Sequence, residues 1–227
     1  MNKNIIKILI LLFVFIVVGV IVYFILDDGT TSDEIKFKEE YESLNGLKND
    51  QGKRYVKVEL SKDNNIKYAS FKDVMEFLEA GTGILYLGFP ECPWCRNMVS
   101  LLTGVAKDEE IEDIYYFNAL SIRDIKELDN NGNIITTKKG TKEYYKLVDK
   151  LKDVLTPYEG LNDESIKRIY FPTVVFVRGG KIVGSHIGTV DSQTDPYKVL
   201  NNKQKKELRK IYLNNINEIY GTCDKNC

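Results

Sequence analysis

Residues 86–95 read YLGFPECPWC, and the sequence on either side of this stretch predicts a strand that leads into a helix. Upstream, residues 83–89 are uncharged and mostly apolar, and the run has the length of a buried strand. Downstream, apolar residues recur at helical spacing, at Met98, Leu101, Leu102 and Val105. Cys92 and Cys95 therefore stand at the first turn of the predicted helix.

A Cys-x-x-Cys pair in this position is suited to thiol–disulfide exchange. The free N–H groups and the dipole at a helix N-terminus favour a thiolate, which is the species that attacks disulfides. We expect Cys92 to attack, and Cys95, one turn further along, to resolve the mixed disulfide and release the partner. Two other roles stay open: half of a zinc site completed by Cys223 and Cys227, and a structural disulfide, which gains little from so short a loop.

The N-terminal segment has the pattern of a membrane signal anchor. It begins at Ile5 and ends at Leu26, and residues 8–26 form an uncharged run of 19. At about 1.5 Å per residue this run nearly matches a hydrocarbon core of about 30 Å. Lys3 and Lys7 favour a cytoplasmic N-terminus, so the C-terminal domain of a single-pass protein would lie outside the cell membrane. A cleaved signal peptide, which would leave a secreted protein, is the alternative.

Length and charge bound the class of protein. The 227 residues include 32 basic and 33 acidic side chains, and the net charge is −1. This balance argues against a nucleic-acid partner. An extracytoplasmic position would place the four cysteines where disulfides persist.

Composition divides the chain into four segments: the anchor at residues 1–28, a polar tether at 29–53, one domain at 54–221, and a tail at 222–227 that carries the second cysteine pair. Within the domain the patterns predict the order βαβαβ, an insertion, then ββα. The insertion covers about residues 124–163 and contains an apolar helical stripe that must pack on the domain or on a partner. Asp129, Asn131 and Asn133 predict a turn rather than a calcium loop.

The alternation of Val56, Val58 and Leu60 predicts a first strand, and the capping-box spacing of Ser70 and Asp73 predicts a first helix that ends at Gly81. A third strand is predicted at residues 114–119. Gly179-Gly180, flanked by residues 173–177 and 181–187, predicts a hairpin. A last helix, with apolar residues from Leu208 to Tyr220, ends at Gly221.

With these elements the chain resembles the thioredoxin-fold superfamily over residues 54–221, and within it the membrane-anchored bacteriocin-transport accessory proteins. Three features carry the resemblance: YLGFPECPWC at 86–95, IYFPT at 169–173, and the hairpin followed by a terminal helix. The resemblance implies an α/β fold of three layers around a central mixed sheet, with a cis proline. The helical insertion before that proline departs from the simplest family pattern.

The resemblance also implies roles for residues around the dithiol. Pro172 matches a proline that is cis in the family and faces the dithiol, where the backbone before it pairs with substrate. A trans proline at the start of a strand is the alternative. The implied substrate-binding residues are Trp94, Phe171, Pro172 and Thr173. The buried acid of typical thioredoxins is replaced by Tyr86, so no proton acceptor for the resolving thiol is assigned.

The sequence therefore predicts an extracytoplasmic, membrane-tethered thiol–disulfide oxidoreductase that acts on cysteine-containing proteins or peptides. It requires no cofactor or metal, and a membrane redox partner would set its direction. A thioredoxin-fold binding module for peptide export and a zinc-binding four-cysteine protein are the alternatives. Cys223 and Cys227 are expected to form a tail disulfide, with an electron relay or pairing to another chain as alternatives. His186 is expected to be structural or solvent-facing.

Overall fold

The computed structural model describes residues 13, 15–18 and 31–221. The chain forms two compact units, Met1–Ser32 and Asp33–Cys227, and every element named below belongs to the second. Most of the predicted anchor and the two tail cysteines, Cys223 and Cys227, lie outside the described residues. Within the described part, no helix is long and apolar enough to cross a membrane.

The helices of the second unit are α1 (Asp33–Glu42), α2 (Phe71–Ala80), α3 (Pro93–Asp108), α4 (Lys142–Leu151) and α5 (Asn202–Tyr220). A 3-10 turn at Lys152–Val154 follows α4. The strands are β1 (Ile66–Tyr68), β2 (Gly83–Leu87), β3 (Ile114–Phe117), β4 (Ile125–Leu128), β5 (Ile134–Lys138), β6 (Thr173–Arg178) and β7 (Lys181–Ile187).

Five strands form a mixed sheet in the order β1-β3-β2-β6-β7. The pairs β1–β3 and β2–β3 are parallel, whereas β2–β6 and β6–β7 are antiparallel. β2 is the central strand and all five of its residues are buried. A strand covered on both faces needs a continuous apolar run, which is the pattern that the sequence shows at residues 83–87.

Helices cover both faces of the sheet, as the sequence predicts. The side chains of β2 alternate between two clusters of buried residues: Ile84 and Tyr86 join the cluster beneath α1, α3 and α5, and Leu85 and Leu87 join the cluster beneath α2 and α4. The arrangement is compatible with a thioredoxin-like fold.

The insertion contributes its helix to the second cluster. Four residues of the predicted stripe are buried there: Tyr144, Leu147, Leu151 and Leu155. The fifth, Val148, is partly buried and packs against this cluster. The prediction that this stripe packs on the domain is confirmed. β4 and β5 pair as a separate hairpin, and at its turn the Asp129 carboxylate accepts hydrogen bonds from the N–H groups of Asn131 and Asn133.

The tether predicted for residues 29–53 is wrong over α1, and the folded unit begins near Asp33 instead of Arg54. Phe37 and Tyr41 are fully buried in the first cluster. They lie one turn apart, so a single narrow apolar stripe holds an otherwise charged helix on the domain. A helix with so few apolar residues has the composition of a linker, which is why composition misassigned it.

The first strand is also displaced. Val56, Val58 and Leu60 are buried in alternation, as expected, but their segment is extended without joining the sheet, and the first sheet strand is β1. Side chains from α1 and the turn after it take the place of a neighbouring strand. Asn45 bonds both the N–H and the C=O of Val58, at 2.9 and 2.7 Å.

Substitution of Phe37 by alanine tests whether α1 belongs to the core. We expect Phe37→Ala to lower the free energy of unfolding by about 3–5 kcal/mol, because a fully buried aromatic ring is removed. Leu47→Ala is the matched control: this side chain is 53% exposed, so its loss should change stability by less than about 0.5 kcal/mol. Urea unfolding followed by Trp94 fluorescence measures both, and equal small effects would restore the tether interpretation.

Candidate active site

Cys92 is the N-cap residue of α3. Its Sγ accepts a hydrogen bond from the Cys95 N–H at 3.2 Å, and its backbone is extended, with φ −67° and ψ 116°. Pro93 follows at the first helical position, where a missing N–H costs nothing. The sulfur thus lies where unpaired N–H groups and the helix dipole stabilise negative charge.

The two sulfurs of the motif have different environments. Both are free thiols, but Cys92 has 3% of its surface exposed and Cys95 has none. Burial, together with the neighbouring Cys92, raises the pKa of the Cys95 thiol well above its ordinary value. The Phe89 backbone and, after it, the Tyr86 hydroxyl oppose this by lowering the pKa of the same thiol. Cys95 therefore stays a protonated thiol near neutral pH, and the attacking role of Cys92 stays a prediction.

The Tyr86 hydroxyl belongs to a buried hydrogen-bonded pair. Its oxygen lies 2.7 Å from the Tyr41 hydroxyl, which α1 supplies. Burial raises the pKa of both hydroxyls well above their ordinary value, so both stay protonated. Tyr86 can therefore donate to a Cys95 thiolate but cannot take up its proton. Gly88 leaves room for this arrangement, because a Cβ there would collide with the Tyr86 ring.

The segment predicted to hold substrate does lie beside the dithiol. The Phe171–Pro172 peptide bond is cis, as the resemblance implies. The Cys92 thiol points at the Phe171 carbonyl oxygen, 3.6 Å away. Leu87 pairs with Thr173, so the register of β2 against β6 brings these two segments together.

The four implied substrate-binding residues differ in exposure. Trp94 and Phe171 are half-buried, whereas Pro172 and Thr173 are buried. The Thr173 hydroxyl donates to the Tyr170 carbonyl at 2.7 Å, so its side chain is engaged within the protein. A direct contact of Thr173 with substrate stays a prediction.

The surface around Cys92 includes residues that the sequence did not single out. The Phe89 and Phe171 rings pack edge to face at 5.3 Å, and the Arg123 guanidinium lies over the Phe171 ring at 5.0 Å. Phe89 lies within the quoted motif, but no pattern around Arg123 connects it with the dithiol.

Arg96, the residue after Cys95, is another residue near the dithiol that the sequence did not single out. It is 2% exposed, and its guanidinium donates to the carbonyl groups of Tyr41, Val56 and Pro90 at 2.8–3.1 Å. A further donor reaches the Asn45 side-chain oxygen at 2.8 Å. Arg96 thereby fastens α1 and the extended segment to the helix that carries the dithiol.

The sequence also raised the role of His186 and the possibility of a zinc site. His186 is half-buried, its Nε2 lies 2.5 Å from the Thr189 carbonyl oxygen, and burial lowers the pKa of the ring, so a structural role stays the prediction. Within the residues that the structure describes, no group of three or more His, Cys, Asp or Glu side chains is placed to hold a metal ion. The zinc alternative also requires Cys223 and Cys227, which lie outside those residues.

Neither the models of known protein families nor the curated proteins match this chain.

The raised pKa of Cys95 predicts unequal alkylation of the two thiols. In the reduced protein at pH 8, iodoacetamide should modify Cys92 at least about tenfold faster than Cys95, because Cys95 is fully buried and protonated. As pH rises above the ordinary thiol range, labelling of Cys95 should increase. Peptide mapping after timed quenching measures both rates, and equal labelling at pH 8 would contradict the assignment.

Tyr86→Phe tests the influence of the Tyr86 hydroxyl on Cys95. Loss of this hydroxyl should raise the pKa of the Cys95 thiol further, because the hydroxyl lowers it. The thiolate fraction then falls by more than the nucleophilicity rises, so resolution of a Cys92–glutathione mixed disulfide should slow roughly threefold. Stopped-flow glutathione release measures this step.

Tyr212→Phe is the matched control for that measurement. Tyr212 is a buried tyrosine of the same cluster, but its hydroxyl has no hydrogen-bond partner in the described part of the chain. Its removal should leave the resolution rate unchanged. An equal effect of the two substitutions would assign both to packing.

Proposed function

We propose that this protein is a membrane-tethered, extracytoplasmic thiol–disulfide oxidoreductase of the thioredoxin fold that acts on cysteines of proteins or peptides. The observation that carries the proposal is the position of the Cys92 sulfur at a helix N-terminus, 3.6 Å from the Phe171 carbonyl. The sheet order β1-β3-β2-β6-β7, with helices on both faces, supports the fold assignment. The apolar run at residues 8–26 supports the tether.

Phe171 supplies the means to hold an extended substrate. Its N–H has no hydrogen-bond partner in the part of the chain that the structure describes, and its carbonyl faces only the Cys92 thiol. A peptide strand can pair with these backbone groups whatever its side chains. Such pairing presents a substrate disulfide to Cys92 and requires little sequence specificity.

The reaction proceeds by two exchanges. The Cys92 thiolate attacks one sulfur of a substrate disulfide, a Cys92–substrate bond forms, and the other substrate sulfur leaves as a thiolate. Cys95 then loses its proton to solvent, attacks Cys92, and displaces the second substrate thiolate, which takes up a proton. Two electrons pass from the dithiol to the substrate, and the reverse sequence donates a disulfide.

Different groups stabilise the two sulfurs during the exchange. The Cys95 N–H stabilises the Cys92 sulfur both as attacking and as leaving group. Tyr86 stabilises Cys95 as it ionises, since it remains a donor. No cofactor takes part in the exchange, and the redox state of a partner, in or at the membrane, sets the direction.

Trapping of the mixed disulfide tests the proposal. The background is the full chain with Cys223→Ser and Cys227→Ser, so that the tail cannot react. Cys95→Ser should accumulate a covalent complex with a disulfide-containing peptide, because the resolving thiol is gone. Cys92→Ser is the matched control and should form none, because Cys95 is buried.

Intact mass and non-reducing electrophoresis detect the complex. Its absence with Cys95→Ser, or equal amounts with the two variants, would refute the oxidoreductase proposal and favour a binding module with a non-catalytic dithiol. Stoichiometric zinc in the purified chain with all four cysteines, released together with the thiols by chelator, would favour the metal-binding alternative.

A further inference from the structure

Two arginines near Phe171 form no ion pair with a carboxylate among the described residues. Arg123 is in the connection between β3 and β4, and Arg168 is in the segment before β6. Both are half-buried. No acidic side chain among the described residues therefore pairs directly with either guanidinium, and the charge of Asp124 acts on Arg123 only from a greater distance.

Aromatic rings and backbone hold both guanidinium groups in place. The Arg123 guanidinium lies over the Phe171 ring and donates to the Ile169 carbonyl at 3.3 Å. The Arg168 guanidinium lies 4.2 Å from the centre of the Tyr158 ring and 5.6 Å from that of Tyr170. Contacts with ring faces fix a guanidinium while leaving most of its N–H donors free. The Nε of Arg168 is buried and has no hydrogen-bond partner in the described chain.

The two positive charges also lie close enough to repel each other. Burial, and after it the charge of Arg168, lowers the pKa of Arg123. The nearest acid in sequence, Asp124, does not pair with either arginine: one of its oxygens lies 3.8 Å from the Lys126 Nζ, and the other is buried without a hydrogen bond in the described chain. Like charges held together in a half-buried site are stabilised when an anion binds between them.

We propose that Arg123 and Arg168 form a carboxylate-binding subsite that selects substrates with an acidic side chain near the reacting cysteine. The inference rests on the proposed oxidoreductase function. Phe171 connects the subsite with the dithiol, since its ring lies beneath Arg123 and its carbonyl faces Cys92. A substrate strand bound along Phe171 brings its neighbouring side chains to the two guanidinium groups. Guanidinium donors suit a carboxylate, which they can bind in a bidentate manner.

Three matched peptides test this selectivity. Each is a symmetrical disulfide of a peptide with one cysteine, blocked at both ends, and the three differ only in having Glu, Gln or Lys two residues from the cysteine. The reduced full chain should react about tenfold faster with the Glu peptide than with the Gln peptide, and slowest with the Lys peptide. The preference should weaken at about 0.5 M salt, because the charges are then screened over a few ångströms.

Substitutions assign the preference to the two arginines. Arg123→Gln and Arg168→Gln should each reduce the Glu-over-Gln ratio to about threefold or less, because one of the two guanidinium groups is lost. Arg178→Gln is the matched control, because Arg178 is an exposed arginine of β6 that forms no ion pair within the described residues. It should leave the ratio unchanged.

The outcomes separate the inference from the function on which it rests. Equal rates with all three peptides would overturn the carboxylate subsite while leaving the oxidoreductase proposal intact. A loss of rate with every peptide in the Arg123 and Arg168 variants would overturn it too, and would make these arginines structural. Failure of the unmodified dithiol to react with any peptide would instead refute the oxidoreductase function.

Discussion

The antiparallel pairing of β2 with β6 brings Cys92, which follows β2, next to Phe171, which precedes β6. These two residues are 79 positions apart in the chain. β2 ends at Leu87, and α3 begins at Pro93 after a short turn. β6 begins at Thr173, directly opposite Leu87. A slip of one residue in this register would turn every side chain of β6 to the other face of the sheet, so the burial of both faces fixes the geometry of the site. The chemistry proposed for the dithiol depends on this one pairing.

A second constraint comes from the N-terminal part of the folded unit. The buried Arg96 guanidinium forms no ion pair within the described chain, and four oxygen atoms accept hydrogen bonds from it instead. Three of these oxygens belong to α1, the turn after it and the extended segment that follows, at Tyr41, Asn45 and Val56. A buried cation is costly unless its hydrogen bonds are complete, so these segments must close over α3. Their closure also places the Tyr41 hydroxyl against Tyr86, next to the resolving thiol.

The sequence predicts most of the fold because the relevant patterns are local. The run at residues 83–87 and the capping box at Ser70 and Asp73 are contained within single elements, and the structure has both. The misassigned parts depend on distant partners. α1 buries only two apolar side chains on a charged helix, and the backbone groups of Val58 bond to the Asn45 side chain and not to a neighbouring strand.

The same distinction applies to the site. Cys92 and Cys95 could be found from one motif, and Phe171 and Pro172 from a resemblance, because each lies in a short recognisable stretch. Arg123 could not, because its proximity to Phe171 arises only when β3 and β6 join the same sheet. The sequence contains a weak signal for Arg96, because its helical spacing from the buried residues Val99 and Thr103 places it on the covered face of α3.

The reduction potential of the Cys92–Cys95 pair tests the central claim most directly, in a full chain with the tail cysteines replaced by serine. The protein is equilibrated in glutathione buffers of graded ratio, quenched by alkylation and analysed by mass. The account predicts one reversible two-electron transition between about −270 and −120 mV, with a disulfide that links Cys92 to Cys95. A dithiol that fails to exchange with glutathione at any ratio would contradict it.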